Sequence, residues 1–109
     1  IAVGATDRDI INAINLLVDS KGGVSLAAGN STKLVKLPVG GLMSTADGYV
    51  IAEKYGDIDQ MAKELGATLA APFMTLSFLA LLVIPKLKLS DKGLFDGESF
   101  SFTSNFNHS

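Results

Sequence analysis

Apolar residues near the N-terminus recur at the three- and four-residue spacing of an amphipathic helix. Thr6 is placed to cap this helix, with Asp9 three residues later as in a capping box. Asp7 and Asp9 suit the positive end of the helix dipole, and the alternative interpretation is an acid/base pair or a cation site. Gly22-Gly23 ends the helix. The apolar positions are Ile10, Ile11, Ala13, Ile14, Leu17 and Val18.

Short apolar or alternating runs on both sides of this helix predict strands. Residues 1–3, Ile-Ala-Val, end at Gly4 and form the first predicted strand; residues 24–28 form the second. Residues 33–37 alternate as the return strand of a hairpin. A strand, a helix and a strand make a βαβ unit, which is right-handed with parallel strands. The pattern therefore predicts an α+β fold with a mixed β-sheet, a βαβ unit, a hairpin and helices packed on the sheet.

A second helix is expected from a cap at Ser44 or Thr45 to about residue 65. Its predicted inner face consists of Val50, Ile51, Ile58, Met61, Ala62 and Leu65. Gly56 weakens a helix by ~1 kcal/mol relative to alanine, so a break is expected there. Asp57 and Asp59 would then cap a restarted helix, with metal binding as the alternative.

Residues 65–85 carry no charge, which is ordinarily a sign of a membrane span. Pro72 and Pro85 leave only residues 73–84 free of proline, which is too short to cross a bilayer. We therefore expect a buried helix over residues 74–82 and no membrane insertion. The residues predicted to be buried are Leu76, Phe78, Leu79 and Leu82.

Charged and apolar residues then alternate, which predicts a short strand over residues 87–89. Lys86 and Lys88 would lie on its solvated side. Residues 100–102 alternate as a closing strand, and a polar tail over residues 104–109 is expected to fray. The single histidine, His108, lies in that tail and is expected to be solvated.

Composition excludes several classes of function. The 109 residues are 48% apolar and 18% charged, with a net charge of −2 and no cysteine. Thiolate chemistry is therefore excluded, and without a basic face nucleic-acid binding is not expected. No secretory leader is evident, which favours the cytoplasm. The high apolar content predicts surface that is buried against a partner, and we expect a homo-oligomer. A start at Ile1, inside a predicted strand and without Met, suggests a piece of a longer chain.

Several strings resemble the C-terminal domain of bacterial adenine deaminases. They are Pro-Phe-Met-Thr-Leu-Ser-Phe-Leu-Ala-Leu from residue 72, Val-Ile-Pro from 83, Lys-Leu-Ser-Asp-Lys-Gly-Leu from 88, Leu-Pro-Val-Gly-Gly-Leu-Met-Ser from 37, and Val-Gly-x-x-Asp-x-Asp from 3. Their order and spacing match over residues 1–103, taken as one domain. Leu82 and Gly40 depart from the family pattern, where proline and alanine are usual.

The resemblance implies a parent enzyme that hydrolyses adenine to hypoxanthine and ammonia. An upstream barrel of the same polypeptide would carry a divalent metal, Mn, Fe or Zn, and would be the partner of this domain. We expect no catalytic residue, metal ligand or cofactor within the 109 residues, so the chain alone would be inactive. The alternative is a free-standing α+β interaction module without enzymatic activity.

The residues expected to face the substrate or the barrel are Met43, Ser44, Phe73, Met74 and Thr75. They lie in two family-like loops, 41–44 and 72–75, which we expect to be close together in space. The alternative is that these side chains simply fill a core. Gly40-Gly41 before a helix start could cradle an anion, and a tight turn is the simpler interpretation.

Overall fold

The computed structural model describes residues 1–106, which form two compact units. The first unit is Ala2–Phe73, and the second contains Ile1 and the described residues from Met74 onward. The first unit contains helix α1 (Asp7–Ser20), strands β1 (Gly23–Ala28) and β2 (Ser31–Lys36), and helix α2 (Gly48–Glu64). Helix α3 (Pro72–Leu79) spans the division. Strands β3 (Leu87–Ser90), β4 (Gly93–Asp96) and β5 (Ser101–Thr103) belong to the second unit.

Helix α1 begins and ends where its cap residues predict. The Thr6 hydroxyl accepts a hydrogen bond from the Asp9 amide at 3.2 Å, so the predicted cap is confirmed. At the other end Lys21 adopts a left-handed conformation, and the Gly22 amide donates to the Leu17 carbonyl at 2.9 Å. This closing bond satisfies a carbonyl that the helix would otherwise leave free.

Strands β1 and β2 form the predicted hairpin, which lies between α1 and α2. Successive residues of a strand point to opposite faces of the sheet. Ser25 therefore points to one face of the hairpin, and its neighbours Val24 and Leu26 point to the other. The Ser25 hydroxyl donates to the Ala13 carbonyl of α1 at 2.7 Å. On the other face Leu26 packs towards Ile58 of α2. The hairpin therefore holds the two helices on opposite sides.

The core of the first unit lies between the hairpin and α2. Its buried members are Leu26, Val35, Ile58 and Ala62, and Ile58 is completely buried. Half-buried apolar residues surround this cluster, namely Val24, Leu37, Met61, Ala67 and Phe73. Burial of apolar area at about 25 cal/mol per Å² makes this small cluster the main source of stability in the unit.

The α+β class is confirmed, but the predicted βαβ unit is wrong. Residues 1–3 form no strand, and Ile1 and Val3 are exposed. The sheets of residues 1–106 are instead two small antiparallel ones, of two and three strands. Residues 1–3 are apolar and so matched the pattern of a strand. Because Gly4 follows directly, the segment is too short to form a ladder of backbone hydrogen bonds with another strand.

Helix α2 differs from its prediction at both its start and its middle. Its cap is Asp47, whose carboxylate accepts from the Tyr49 amide at 2.9 Å, not Ser44 or Thr45. The helix runs without interruption through Gly56, so the expected break is wrong. Asp57 and Asp59 consequently lie inside the helix and cap nothing. Packing of Ile58 and Ala62 outweighs the ~1 kcal/mol cost of a glycine.

The second unit is a three-stranded antiparallel sheet that follows α3. Phe95 is the only buried apolar residue among its described positions. The rings of Phe100 and Phe102 meet Phe95 edge to face, with centroids 5.5 and 5.3 Å away. Such pairs add about 0.5–1.5 kcal/mol beyond their area. The Asp96 carboxylate holds the following turn by accepting from the Glu98 amide at 2.9 Å, and this hydrogen bond lowers the pKa of Asp96.

The prediction of a buried helix in the uncharged segment is wrong. No residue of α3 is buried, and Phe78 and Leu79 are about half exposed, at 52% and 53%. Leu76 and Leu82 are only half-buried. Apolar content indicated burial, but the side chains of α3 are only half-buried or exposed. Over residues 1–106 the structure contains no helix of the length and apolarity needed to cross a membrane.

Candidate functional site

The loop that follows the hairpin closes on itself and presents two apolar side chains. The Val39 carbonyl accepts from the amides of Leu42 and Met43, and the Val39 amide donates to the Met43 carbonyl at 2.9 Å. Leu42 is 81% exposed and Met43 is 62% exposed. Because the backbone of residues 39–43 is fixed by these bonds, the two side chains are held at the surface at little further entropic cost. We call residues 39–43 the apolar loop.

Two glycines fix the apolar loop against the end of α1. A side chain at Gly22 would collide with the Cα of Gly41, so the two backbones touch. Gly40 and Gly41 have φ of 64° and 76°, which favours glycine. These features support the tight-turn interpretation of Gly40-Gly41. The Leu42 and Met43 amides are engaged within the loop, so they do not form an anion cradle.

Ser44 lies at the edge of a shallow depression next to the apolar loop. Its hydroxyl accepts from the Ala46 amide at 3.1 Å. The depression has a volume of about 460 Å³ and is open to the surface. Lys36 and Lys54 bring two positive charges to it. Its other lining residues are Leu34, Pro38, Thr45, Ala46 and Ile51.

The remaining predicted site residues lie at the start of α3. Phe73 is half-buried and packs against the core of the first unit, which agrees with the core-filling alternative for this residue. Met74 is 49% exposed, and Thr75 is exposed. Met43 and Met74 belong to different units. Proximity of the 41–44 and 72–75 loops, and a substrate-facing role for all five residues, stay predictions.

Of the two carboxylates near the N-terminus, Asp9 has a structural contact. Asp9 accepts at Oδ1 from the Gly29 amide at 3.1 Å, so it joins the first turn of α1 to the hairpin turn. Within residues 1–106, no three His, Cys, Asp or Glu side chains are grouped so that they could hold a metal ion. His108 lies outside the described residues.

Helix α2 carries Tyr55, whose hydroxyl has a raised pKa. Burial raises the pKa of Tyr55 above its ordinary value of 10, and the negative charge of Asp59 adds to the rise. Oδ1 of Asp59 is itself buried and accepts no hydrogen bond from residues 1–106. The two residues are four positions apart and so share a face of the helix.

Asp59→Asn should lower the pKa of Tyr55 towards 10, because it removes a negative charge that opposes phenolate formation. Absorbance near 295 nm during alkaline titration measures this directly in a Tyr49→Phe background, where Tyr55 is the only tyrosine. A raised folded-state pKa means that the stabilising contribution of Tyr55 is present below pH 10 and is lost as the pH rises through the raised value. Asp57→Asn, an exposed site on the same helix, is the matched control. Equal shifts in both variants would contradict the assignment to Asp59.

Some residues of this surface were not found from the sequence. Leu42 could have been identified, since it stands beside Met43 in the same glycine-flanked loop. Lys36 and Lys54 could not, because they lie eighteen positions apart and meet only through the packing of α2 beside β2. Asp9 carried a capping signal, but nothing in the sequence indicated its bond to Gly29.

The fold and this surface define a small α+β domain that presents apolar side chains on a fixed loop. The sequence profile of the adenine deaminase C-terminal domain matches residues 1–101. The chain therefore belongs to the family of adenine deaminase C-terminal domains, as the resemblance of its motifs predicted.

Similar proteins include adenine deaminases from Sulfurovum sp. (strain NBC37-1), 52% identical over 94% of this chain, and from Methanosarcina barkeri, 53% identical over 97% of it. A more distant adenine deaminase, from Parabacteroides distasonis, is 43% identical over 97% of the chain. The chain spans only 19% of the length of each of these relatives. No solved structure matches this chain.

Proposed function

We propose that these residues are the C-terminal, non-catalytic part of an adenine deaminase. The observation that carries this proposal is the extent of the matches: nearly the whole chain is about half identical to adenine deaminases, but it accounts for 19% of their length. The reaction would be hydrolysis of the exocyclic amine of adenine to hypoxanthine and ammonia, as part of purine metabolism in the cytoplasm.

The chemistry of that reaction would reside in the rest of the polypeptide. Hydrolytic deamination needs an activated water and several metal ligands, which the catalytic barrel would supply with a divalent metal such as Mn, Fe or Zn. The residues described here offer a different set of groups, namely exposed methionine and leucine side chains, a serine hydroxyl and two lysines. These groups suit contact with another protein surface, and we assign them that role.

The apolar loop and the start of α3 are the proposed contacts with the barrel. Leu42 and Met43 are apolar and exposed on a backbone fixed by three hydrogen bonds. Soft, polarisable side chains of this kind adapt to varied surfaces. Met43, Ser44, Met74 and Thr75 would face the barrel or its substrate entrance, while Phe73 would hold the start of α3 on the core. Association of whole subunits into a homo-oligomer belongs to the same proposal.

Only the full-length polypeptide should deaminate adenine, and the 109-residue chain should not. Both proteins would be purified, supplied in turn with Mn²⁺, Fe²⁺ and Zn²⁺, and assayed for loss of adenine and release of ammonia. Turnover by the 109-residue chain would overturn its non-catalytic role. A folded full-length protein that leaves adenine unchanged would overturn the enzymatic assignment.

Within the full-length enzyme, Met43→Asp should raise KM for adenine by about tenfold, since a charge would be buried at the contact with the barrel. Leu65→Asp places the same charge at another exposed apolar residue, outside the proposed contact. Equal kinetic effects of the two variants would remove the apolar loop from the proposal.

A further inference from the structure

In β3, the edge strand of the second unit, the leucines are exposed and the polar residues are half-buried. Leu87 and Leu89 are 54% and 76% exposed, while Lys88 and Ser90 between and beside them are half-buried. Lys88 turns inward, and its ammonium donates to the Ile84 carbonyl at 3.0 Å. A strand that faces water on one side normally shows the opposite pattern, with its leucines inside. The expected solvated lysine face is therefore wrong for Lys88.

The backbone amide and carbonyl groups of Leu87 and Leu89 point away from β4. The Gly97 amide donates to the Lys86 carbonyl at 2.7 Å, and Lys88 pairs with Phe95 two positions on. In an antiparallel ladder hydrogen-bonded pairs alternate with non-bonded ones. The amide and carbonyl groups of Leu87 and Leu89 consequently point to the outer edge of β3. In the part of the chain that the structure describes, no strand pairs with that edge.

Lysine side chains do not protect the leucine side of this short edge strand. Natural sheets block free edges with lysines, prolines or bulges. Lys86 and Lys88 share the opposite face of β3 with Phe95, and Asp96 is occupied with the turn that follows β4. The leucine face, formed by Leu87, Leu89 and Leu94, therefore presents apolar side chains beside free backbone groups. This combination fits an added strand with apolar side chains.

The size of the edge favours a tethered strand over a second copy. Strand β3 has four residues, which at ~3.3 Å per residue is about 13 Å long. Four residues are far fewer than the about 20–30 residues that each partner contributes to a stable free interface. A segment of the same polypeptide is already present at about millimolar effective concentration. In the relatives about four fifths of the chain lies outside the matched region, so such segments are plentiful.

We propose that an apolar segment from the catalytic part of the polypeptide adds to β3 as an antiparallel or parallel strand, with its apolar side chains beside Leu87 and Leu89 on the leucine face. The inference rests on the proposed function, since it needs that part to be present in the same chain. The added strand would form main-chain hydrogen bonds with Leu87 and Leu89, which supply affinity. An apolar side chain beside Leu89 would fix which residues of the added strand lie opposite β3.

Hydrogen exchange in the full-length protein tests the added strand. The amides of Leu87 and Leu89 should exchange as slowly as those of Lys88 and Ser90, which bond to β4. Leu89→Lys should speed exchange at Leu87 by about tenfold or more, and Leu65→Lys should not. Exchange at Leu87 and Leu89 that is fast in the unaltered protein would overturn the proposal, and so would protection lost on dilution, which indicates a second copy.

A photo-crosslinking amino acid at position 89 identifies the occupant. Crosslinked peptides should come from the catalytic part of the same polypeptide, and a matched crosslinker at position 65 should not give them. Crosslinks to residues 2–73 or between copies would overturn the proposal. Adenine turnover is assayed in the same sample. If the enzyme is active but position 89 gives no crosslink to the catalytic part, only this inference is wrong. If the crosslink forms but the enzyme is inactive, only the enzymatic assignment is wrong.

Discussion

Ile58→Ala should lower the free energy of unfolding of the 109-residue chain by about 2–5 kcal/mol. Ile58 is the one completely buried large side chain among the described residues, and it joins α2 to the hairpin. Removing it leaves a cavity bounded by Leu26, Val35 and Ala62. So small a cluster has few other contacts to compensate. Urea unfolding followed by far-ultraviolet circular dichroism would measure the change, with the slope checked for two-state behaviour.

The matched control is Val50→Ala on the same helix. Val50 is 44% exposed, so its truncation removes little buried area, and we expect a change within about 0.5 kcal/mol. If Ile58→Ala cost no more than this control, the hairpin–α2 cluster would not be the core of the first unit.

Gly23→Ala should be the most damaging change to the hairpin. Gly23 has φ of 132°, and a side chain there would collide with the Val35 carbonyl oxygen on the opposite strand. Backbone strain alone costs about 1–3 kcal/mol, and displacement of Val35 adds to it. We expect a loss of about 3 kcal/mol or more in the free energy of unfolding, or failure to fold, by the same urea measurement.

Gly29→Ala separates the two causes. Gly29 also has positive φ, at 58°, but a side chain there meets nothing within 4 Å. Its replacement should cost only the left-handed strain, about 1–2 kcal/mol. If Gly23→Ala and Gly29→Ala were equally stable, the collision with Val35 would not contribute to the loss of stability.

The sequence predicted those parts of the fold that local chemistry determines. Thr6 caps α1 because a threonine three residues before an aspartate offers its hydroxyl to a free amide. Gly22 and Gly23 end the helix because only glycine accepts their backbone angles at low cost. The hairpin follows from the alternation in β2 and the turn at Gly29. Each of these signals acts over a few residues, which is why they can be recognised without tertiary information.

The errors arose where tertiary packing determines the outcome. Asp47, Ser44 and Thr45 are all competent cap residues, and the choice depends on where α2 meets the hairpin. Gly56 stays helical because Ile58 is held in the core. For the candidate site, Met43 is exposed and Phe73 is half-buried against the core, and their predicted contact with a barrel or substrate stays a prediction. In β3, the two-residue hairpin at Asp91-Lys92 sets a register that periodicity does not reveal.

The reversed edge of β3 has a consequence for how such a protein is made. A domain at the C-terminus leaves the ribosome last, and synthesis proceeds at ~5–20 residues per second. By the time Leu87 and Leu89 emerge, the rest of a full-length chain has already had many seconds to fold. The proposed strand of the catalytic part would then already be folded, and it would pair with the edge of β3 as soon as β3 forms. The order of translation would thus limit the interval in which an unprotected, aggregation-prone edge meets other nascent chains.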